Sequence, residues 1–359
     1  MRDSSTPRIV LTGAAGVLGS ALLREFPGES VLCLTHRTAL GPTQARQIPC
    51  DLSRQRLGLS EDSFQEVASW ADCIVHCAAI TDYAAGGETI RAINVEGTKR
   101  ILDLASSASA ALYHVSTVLV GVDEGERGVG AVLQTGRSSM SVMAYEHSKA
   151  ASDEIVKASG LPASIVRPSL ILGDSDTGQI ARFQGFHAMA RFFFDESIPI
   201  LPLPAEALVD LLPVDVMAQA LSAVVCAREL PAECWLSAGE RALRVEQVVR
   251  TITDYAIESG REVAMPRLVA PDIVDRLIRP VFMREFPKRT QRRFEYMIDV
   301  VAPLVSNLRF PSSMPDIAAR HGVRWDEIDL CECVRRSIAY WDRQRTAGER
   351  GGVRVSAAG

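Results

Sequence analysis

The stretch RIVLTGAAGVLGS, residues 8–20, places three glycines between an apolar run and the start of a helical pattern. These patterns predict a strand over 8–13 and a helix over 17–26. Gly13, Gly16 and Gly19 let a phosphate approach the backbone and let the helix pack close to the strand. Because helix N-termini attract phosphate, we expect this loop to bind a dinucleotide, together with Ala15, Val17 and Leu18. The alternative is a turn that binds no ligand. The position of the motif in the first βαβ unit argues against this alternative.

Short apolar runs continue through the first half of the chain and alternate with helical patterns. Strands are predicted at 31–35, 45–52, 72–79, 111–117 and 163–173, and helices at 60–70, 88–107 and 143–159. The strands are apolar without alternation, which is typical of a parallel sheet with helices on both faces. The sequence therefore predicts an α/β fold with a doubly wound parallel sheet, a Rossmann fold.

The second half of the chain is less regular and is interrupted by many prolines. Helices are predicted at 180–195, 244–257 and 325–345, and a strand followed by a helix at 207–225. We expect a dinucleotide-binding domain over 1–175, to which 207–238 returns. We expect a smaller, mainly helical C-terminal substrate lobe from 176–206 and 239–350, and a disordered tail at 351–359.

The composition is that of an ordinary globular protein, with 47% hydrophobic and 23% charged residues. A formal net charge of −5 argues against a dedicated nucleic-acid-binding protein, which needs a basic face. No apolar stretch is long enough to predict a membrane span, and the N-terminus lacks the apolar segment of a signal peptide. The eight scattered cysteines lack metal-ligand spacing and predict buried thiols in a cytoplasmic protein without a metal site.

The end of the second predicted strand bears on the choice of dinucleotide. NAD-binding domains usually carry an acidic residue there, which binds the ribose 2′-hydroxyl. This chain has His36 and Arg37, which suit the 2′-phosphate of NADP(H) instead. We therefore predict NADP(H), against the alternative that Arg37 is an ordinary solvated side chain. Asp51 and Leu52, after the third strand, are expected near the adenine.

Tyr145 and Lys149 form a Tyr-x-x-x-Lys pair in a chain that has four lysines and six tyrosines. Random placement gives about 0.07 such pairs in 359 residues. On a helix the two side chains share one face, and the ammonium lowers the pKa of the phenol. Such a phenol can donate a proton to a carbonyl oxygen as hydride reaches the carbon, while the lysine holds the nicotinamide ribose. A helix on which the two merely stack is the alternative.

Two hydroxyl residues end the strand that precedes this helix. Ser116 and Thr117 lie where a parallel sheet presents side chains to the crevice at its carboxyl edge. A hydroxyl there can donate a hydrogen bond to the same carbonyl oxygen. Because neighbours on a strand face opposite ways, the sequence leaves open which of the two points to the substrate.

The chain resembles the extended short-chain dehydrogenase/reductase superfamily over residues 8–175, in the motifs TGAAGVLG, HCAAI, NVEGTKRILDLA, VSTV and YEHSK. Over about residues 8–230 the resemblance narrows to the male-sterility and thioester-reductase branch. The segments that narrow it are YEHSKAASDEIVKASGLPASIVRPSLILGDSDTG, RFQGFHAMARFF and LVDLLPVDVMAQAL. That branch includes fatty acyl reductases and the terminal reductase domains of peptide synthetases and carboxylic acid reductases.

The resemblance implies roles for particular residues of this chain. The implied catalytic trio is Thr117, Tyr145 and Lys149. The residues implied to line or support the cofactor are Cys77, Ala78, Ala79 and Asn94. Those implied to lie against the nicotinamide are Arg167, Pro168 and Ser169. Cys77 departs from the family pattern, since many relatives carry an asparagine in this stretch.

Three further segments carry weaker signals. The glycine-rich loop 121–141 is interpreted either as a mobile substrate lid or as an ordinary surface insertion. Residues 276–293 hold seven basic residues and one acidic residue, a local net charge of +6. They predict either a docking patch for an acidic carrier protein or CoA, or a solvated helical face. The apolar run 186–194, with 198–204, predicts the wall of an acyl channel or a helical core.

Together these features predict an NADPH-dependent reductase that converts an acyl thioester, bound to a carrier protein or CoA, to an aldehyde. A second hydride would give the alcohol. The first alternative is a carbonyl reductase or sugar-nucleotide epimerase that uses the same residues. Val118 and Leu119 stand where dehydratases of the superfamily carry acids, which argues against dehydration. The second alternative is a non-catalytic dinucleotide-binding protein, whose usual mark is loss of the Tyr/Lys pair.

Overall fold

A computed structural model describes most of the chain. Its ranges are 6–41, 43–81, 85–121, 140–187, 200–270 and 308–350, with the single residues 190, 194, 273, 288, 291 and 305. The predictions for most of the loop 121–141, most of the basic segment 276–293, much of the apolar run 186–194 and the whole tail 351–359 therefore lie outside the described residues.

Seven parallel strands form the central sheet; six of them are largely buried, whereas the edge strand at Arg46–Pro49 is mostly exposed. They are β1 (Ile9–Thr12), β2 (Val31–Thr35), β3 (Arg46–Pro49), β4 (Cys73–His76), β5 (Ala111–Val115), β6 (Ala163–Pro168) and β11 (Glu233–Leu236). Their order is β11-β6-β5-β4-β1-β2-β3. Ile9 and Leu11 belong to one apolar layer and Val10 to the other, so strand neighbours must both be apolar. The predicted doubly wound parallel sheet is confirmed.

Short strands pair outside the central sheet. They are β7 (Leu170–Leu172), β8 (Ile200–Leu201), β9 (Leu208–Val209), β10 (Leu211–Pro213), β12 (Leu243–Arg244) and β13 (Arg267–Leu268). β7 pairs with β10, β8 with β13 and β9 with β12. These pairs lie in the part of the chain that follows the first six strands of the main sheet.

Helices cover both faces of the sheet. Those with bounds in the described ranges are α1 (Val17–Glu25), α2 (Glu61–Trp70), α3 (Gly87–Asn94), α4 (Glu96–Ala108), α5 (Met140–Ala158), α6 (Val214–Cys226), α7 (Val245–Glu258), α8 (Met314–His321) and α9 (Leu330–Arg350). α1 packs against α6, and α5 packs against α3 and α4. None of the helices in these ranges has the length and apolar character that crossing a bilayer requires.

Two predicted elements are interrupted. The helix expected over 88–107 is divided into α3 and α4, because the Asn94 carbonyl accepts hydrogen bonds from the hydroxyls of Thr98 and Ser152. The strand expected over 163–173 is divided into β6 and β7 at Ser169. The backbone N–H of Ser169 still bonds Leu236 of β11, whereas that of Leu170 bonds Asp210 beside β10. Hydrogen bonds with residues of other elements thus determine where the predicted helix and the predicted strand are interrupted.

The topology directs four strand ends to one crevice. After β1 the chain builds β2 and β3 on one side, and it then crosses to build β4, β5 and β6 on the other. Ligands of such sheets bind at the carboxyl ends of the strands, at this switch point. The residues directly after β1, β4, β5 and β6 line one cavity there; they are Gly13, Cys77, Ser116 and Ser169.

Candidate active site

The first βα turn forms one wall of this cavity, whose volume is about 300 Å³. Gly13 has a φ of +72°, and a Cβ on it would lie 2.6 Å from the backbone nitrogen of Ala78. A Cβ on Gly19 would lie 2.1 Å from the carbonyl oxygen of Gly13. Both contacts are too short for any side chain, so the close approach of β1, α1 and the segment after β4 requires glycine.

Helix α1 begins at this wall with its first N–H groups uncapped by any side chain. The loop residues on the cavity wall are Gly13, Gly16, Val17, Leu18 and Gly19, while Ala15 is exposed in the same turn. Uncapped N–H groups and the helix dipole favour phosphate, and the glycines leave room for it. The residues present therefore fit the pyrophosphate of a dinucleotide.

Tyr145 and Lys149 lie one helical turn apart on α5, and both line the cavity. Their side chains are largely buried, with relative exposures of 8% and 5%. The Lys149 Nζ donates a hydrogen bond to the carbonyl oxygen of Val115 at 2.8 Å. Burial lowers the pKa of Lys149 to about 8, although Asp153 and Cys77 act in the opposite direction. The helix thus presents a phenol and a desolvated amine to the same space.

Ser116 and Thr117 follow β5 on the facing wall, and both contribute to the lining of the cavity. Thr117 begins a short 3₁₀ turn at Val118–Val120, where its Oγ1 accepts a hydrogen bond from the Leu119 N–H at 3.3 Å. The Oγ of Ser116 is wholly buried. The structure therefore brings the predicted hydroxyls, the phenol and the amine to one site.

Asn94 lies behind the cavity rather than on its wall. Its side-chain oxygen accepts from the Ile80 N–H at 2.8 Å, and its amide nitrogen donates to the Ser148 hydroxyl at 3.0 Å. These bonds join the segment after β4 to helix α5. Asn94 therefore supports the wall that Cys77 and Ala79 form, opposite Tyr145.

Cys77 and Ala79 line the cavity, while Ala78 turns its backbone toward β1. The Ala78 N–H donates to the Thr12 hydroxyl at 3.2 Å, and Thr12 in turn lies 2.7 Å from the His76 Nδ1. Burial raises the pKa of the Cys77 thiol to about 12. Cys77 is therefore a neutral wall residue and not a nucleophile at neutral pH.

The residues predicted to meet the adenosine end lie away from this cavity. His36 and Arg37 are exposed directly after β2. Asp51 follows β3, and hydrogen bonds from the side chain and the backbone of Ser53 hold the pKa of its carboxyl below the usual value. Leu52 is buried in the apolar layer beside α4. An exposed cationic edge at β2 thus adjoins the glycine loop along the sheet.

Arg167 differs from the position that the family resemblance implies. Pro168 and Ser169 line the cavity, but the Arg167 side chain is only 1% exposed and does not reach the wall. Strand neighbours face opposite ways, so Arg167 points behind the site when Pro168 faces it. There its guanidinium lies 2.8 Å from the Asp153 carboxylate.

Several wall residues were not predicted as site residues. Leu170 and Ile171 continue the chain from Ser169, and Leu119 follows the hydroxyl pair, so each adjoins a motif. Phe186 belongs to the apolar run expected to wall an acyl channel. Arg182 and Gln184 also line the cavity, but no motif marks them because the tertiary fold alone returns this segment to the site.

Comparison with known proteins gives consistent results. A family model described as "Male sterility protein", of the NAD-binding type, matches residues 35–221. The nonribosomal peptide synthetase asaC of Aspergillus flavus is 30% identical over 214 residues, 50% of this chain and 21% of that protein. The aldehyde reductase lnaA of the same species is 30% identical over 209 residues, 48% of this chain and 20% of that protein. The chain thus spans about a fifth of the length of these relatives.

A solved structure shares the fold over nearly the whole chain. The terminal R domain from the myxalamid PKS-NRPS biosynthetic pathway has a TM-score of 0.69 at 20% sequence identity. The alignment covers 96% of this chain and 92% of that domain. Because the family match extends over just more than half of the chain, the protein belongs to the male sterility protein family.

Proposed function

We propose that the protein is an NADP(H)-dependent reductase that acts on the carbonyl group of an acyl thioester. The observation that carries this proposal is the convergence of Thr117, Tyr145 and Lys149 on one cavity with the glycine loop. The names of the peptide synthetase asaC and the aldehyde reductase lnaA support it, since each matches about half of the chain.

The wall residues supply the proton chemistry of such a reduction. A nicotinamide dinucleotide bound at the glycine loop supplies hydride to a carbonyl carbon. Tyr145 donates its phenolic proton to the carbonyl oxygen, and the Lys149 ammonium makes that proton more acidic. Thr117 donates a hydrogen bond to the same oxygen; the complete burial of the Ser116 Oγ favours Thr117 for this role. The resulting hemithioacetal loses its hydroxyl proton as the C–S bond breaks, which releases an aldehyde and a thiol.

The apolar lining of the cavity supports an acyl substrate. Leu119, Leu170, Ile171 and Phe186 provide an apolar wall beside the hydroxyl and phenol. The thiol portion would belong to a carrier protein or to CoA, and the basic segment 276–293 is proposed as the docking patch for either.

A substrate panel tests this function. The protein is incubated with NADPH and, separately, with acyl-CoAs, carrier-bound acyl thioesters, ketones, aldehydes and UDP-sugars, and NADPH consumption is followed. We expect turnover of thioesters. Turnover of ketones alone would establish a carbonyl reductase instead, and silence with every substrate would favour a non-catalytic dinucleotide-binding protein.

The choice of NADP(H) rests on the exposed edge after β2. His36 and Arg37 follow this strand where an acidic residue would favour NAD. A lost charge-assisted hydrogen bond costs about 1.5–3 kcal/mol. Arg37→Ala is therefore expected to weaken NADPH binding at least about tenfold and to leave NADH binding nearly unchanged. Titration of cofactor fluorescence measures both dissociation constants, and tighter binding of NADH than NADPH to the native protein would contradict the assignment.

A further inference from the structure

A group of charges, of which Asp153 and Arg167 are buried and Glu233 is partly exposed, lies directly behind the site. We call Asp153, Arg167 and Glu233 the Arg167 cluster. The Arg167 Nη1 lies 2.8 Å from the Asp153 Oδ2, and its Nη2 lies 2.7 Å from the Glu233 Oε1. The guanidinium also lies over the Trp235 ring, 5.2 Å from the ring centroid. The cluster therefore joins helix α5 to strands β6 and β11.

The Arg167 cluster also holds the strand end that carries the hydroxyls. The Arg167 Nη1 donates to the Thr117 carbonyl oxygen at 3.2 Å. Two residues earlier, the Val115 carbonyl accepts from Lys149. Between them, the Ser116 N–H donates to the Val166 carbonyl at 2.7 Å. Hydrogen bonds from α5 and β6 thus hold three successive residues at the end of β5, namely Val115, Ser116 and Thr117.

Asp153 is the member of the cluster that belongs to the helix of the phenol. It lies one turn beyond Lys149 and two turns beyond Tyr145 on α5, so the three side chains share one face. A buried ion pair is often no more stabilising than apolar side chains of similar volume. Pure stability therefore does not explain why charges occupy this position.

The electrostatic surroundings of Lys149 come from every neighbouring element. The titratable groups that interact with its charge are His76 and Cys77 from β4 and the turn after it, His114 from β5, and Asp153 from α5, while Tyr145 lines the same cavity. Burial keeps both histidines neutral by lowering their pKa values, and burial keeps the Cys77 thiol neutral. Burial raises the pKa of the Asp153 carboxyl, whereas the Arg167 guanidinium at 2.8 Å and the Lys149 amine act in the opposite direction. Asp153, paired with Arg167, is thus the carboxyl group of this set.

We propose that Asp153 is a positioning residue for the reduction: through Arg167 it holds Thr117 against the helix of Tyr145, and its charge maintains the ammonium form of Lys149. This inference rests on the proposed function, since it assumes that Lys149 binds cofactor as a cation. It adds a specific role for two residues that do not touch the cavity.

The test variant is Asp153→Asn, which removes the carboxylate charge and keeps the size of the side chain. The matched control is Asp342→Asn, because the buried Asp342 of α9 pairs at 2.7 Å with Arg261, which follows α7. Both variants are expected to lose thermal stability. The informative readout is the NADPH dissociation constant as a function of pH, which needs no substrate. In Asp153→Asn, the pH above which binding weakens is expected to fall by about one unit, because removal of the negative charge lowers the pKa of Lys149.

Each outcome decides the inference. Coincident pH curves for the native protein and Asp153→Asn would overturn it, and so would an equal shift in Asp342→Asn. If Asp153→Asn does not fold, Arg167→Gln gives a second test: loss of the guanidinium raises the pKa of the Asp153 carboxyl, so the curve is again expected to move to lower pH, and no movement would overturn the inference. A protein that passes this binding test but reduces no thioester would refute the proposed function alone.

Discussion

Among single residues, Tyr145 supplies the proton that the proposed reaction needs. Tyr145→Phe removes the hydroxyl and keeps the ring that fills the wall. We expect kcat to fall by about 10²–10⁴-fold, the usual contribution of a general acid, with little change in NADPH affinity. Single-turnover rates and fluorescence titration measure the two quantities. A rate within a few-fold of the native rate would exclude the phenol as the acid.

The pKa of Lys149 gives the reaction a defined pH dependence. Burial lowers this pKa to about 8, so the ammonium form is complete below about pH 7 and is lost as the pH rises through 8. Because the ammonium acidifies Tyr145 and binds the cofactor in the proposed reaction, kcat/KM should fall on the alkaline side with a midpoint near pH 8. Measurement across pH 6–10 checks this, and a rate that rises through pH 8 would contradict it.

At the residue scale, spacing in the sequence predicted some roles and could not predict others. The four-residue interval between Tyr145 and Lys149 marks one face of a helix, so their convergence followed from local geometry. Asp153 and Arg167 come from different elements and meet through packing alone, so no interval marks them. The choice between Ser116 and Thr117 likewise depends on side-chain burial, which the alternation of a strand does not determine.

Among the elements, the turn between β1 and α1 depends on the absence of a side chain. A Cβ at Gly19 would lie 2.1 Å from the Gly13 carbonyl oxygen, so Gly19→Ala must displace the helix from the strand. We expect a loss of NADPH affinity of at least about tenfold together with a lower Tm. Gly41→Ala is the control, because no atom lies within 4 Å of its added Cβ and its φ is ordinary. Equal NADPH affinity in the two variants would contradict a phosphate-binding turn.

The existence and order of the main elements followed from periodicity, whereas their ends did not. Strands β1, β2 and β4 are buried on both faces and therefore appear as unbroken apolar runs. Helix α9 was expected from 325 but begins at Leu330, because the Asp329 carboxylate accepts from the N–H groups of Cys331 and Glu332. The break between α3 and α4 depends on hydroxyls of Thr98 and Ser152, one of them from another helix.

For the whole molecule, buried neutral histidines predict a loss of stability in acid. Burial lowers the pKa of His187 to about 4, while the unfolded chain keeps a value near 6.5. Protons therefore favour the unfolded state below about pH 6.5, and His187 alone should lower the free energy of unfolding by about 2 kcal/mol between pH 7 and pH 5. Urea unfolding of the native protein and His187→Gln at both pH values isolates this difference. The exposed His36→Ala is the control, and an equal pH dependence in native and His187→Gln would contradict the prediction.

The long-range organisation of the fold could be predicted where a sequence motif marks it. The doubly wound parallel sheet followed from the βαβ pattern, and the resemblance to thioester reductases anticipated the family. The sequence predicted that 207–238 returns to the nucleotide-binding domain but did not name β6 as the partner of β11, nor did it predict the return of Arg182 and Phe186 to the cavity. Such contacts depend on how the second half packs against the sheet, which apolar periodicity does not specify.

The most direct test follows NADPH oxidation and thiol release together, with an acyl thioester as substrate, in the native protein and Tyr145→Phe. If Tyr145 protonates a thioester carbonyl, one thiol should appear for each NADPH consumed when the product is an aldehyde, or for every two when it is an alcohol. Both signals should nearly vanish in Tyr145→Phe. NADPH oxidation without thiol release, or thiol release undiminished in Tyr145→Phe, would contradict this mechanism.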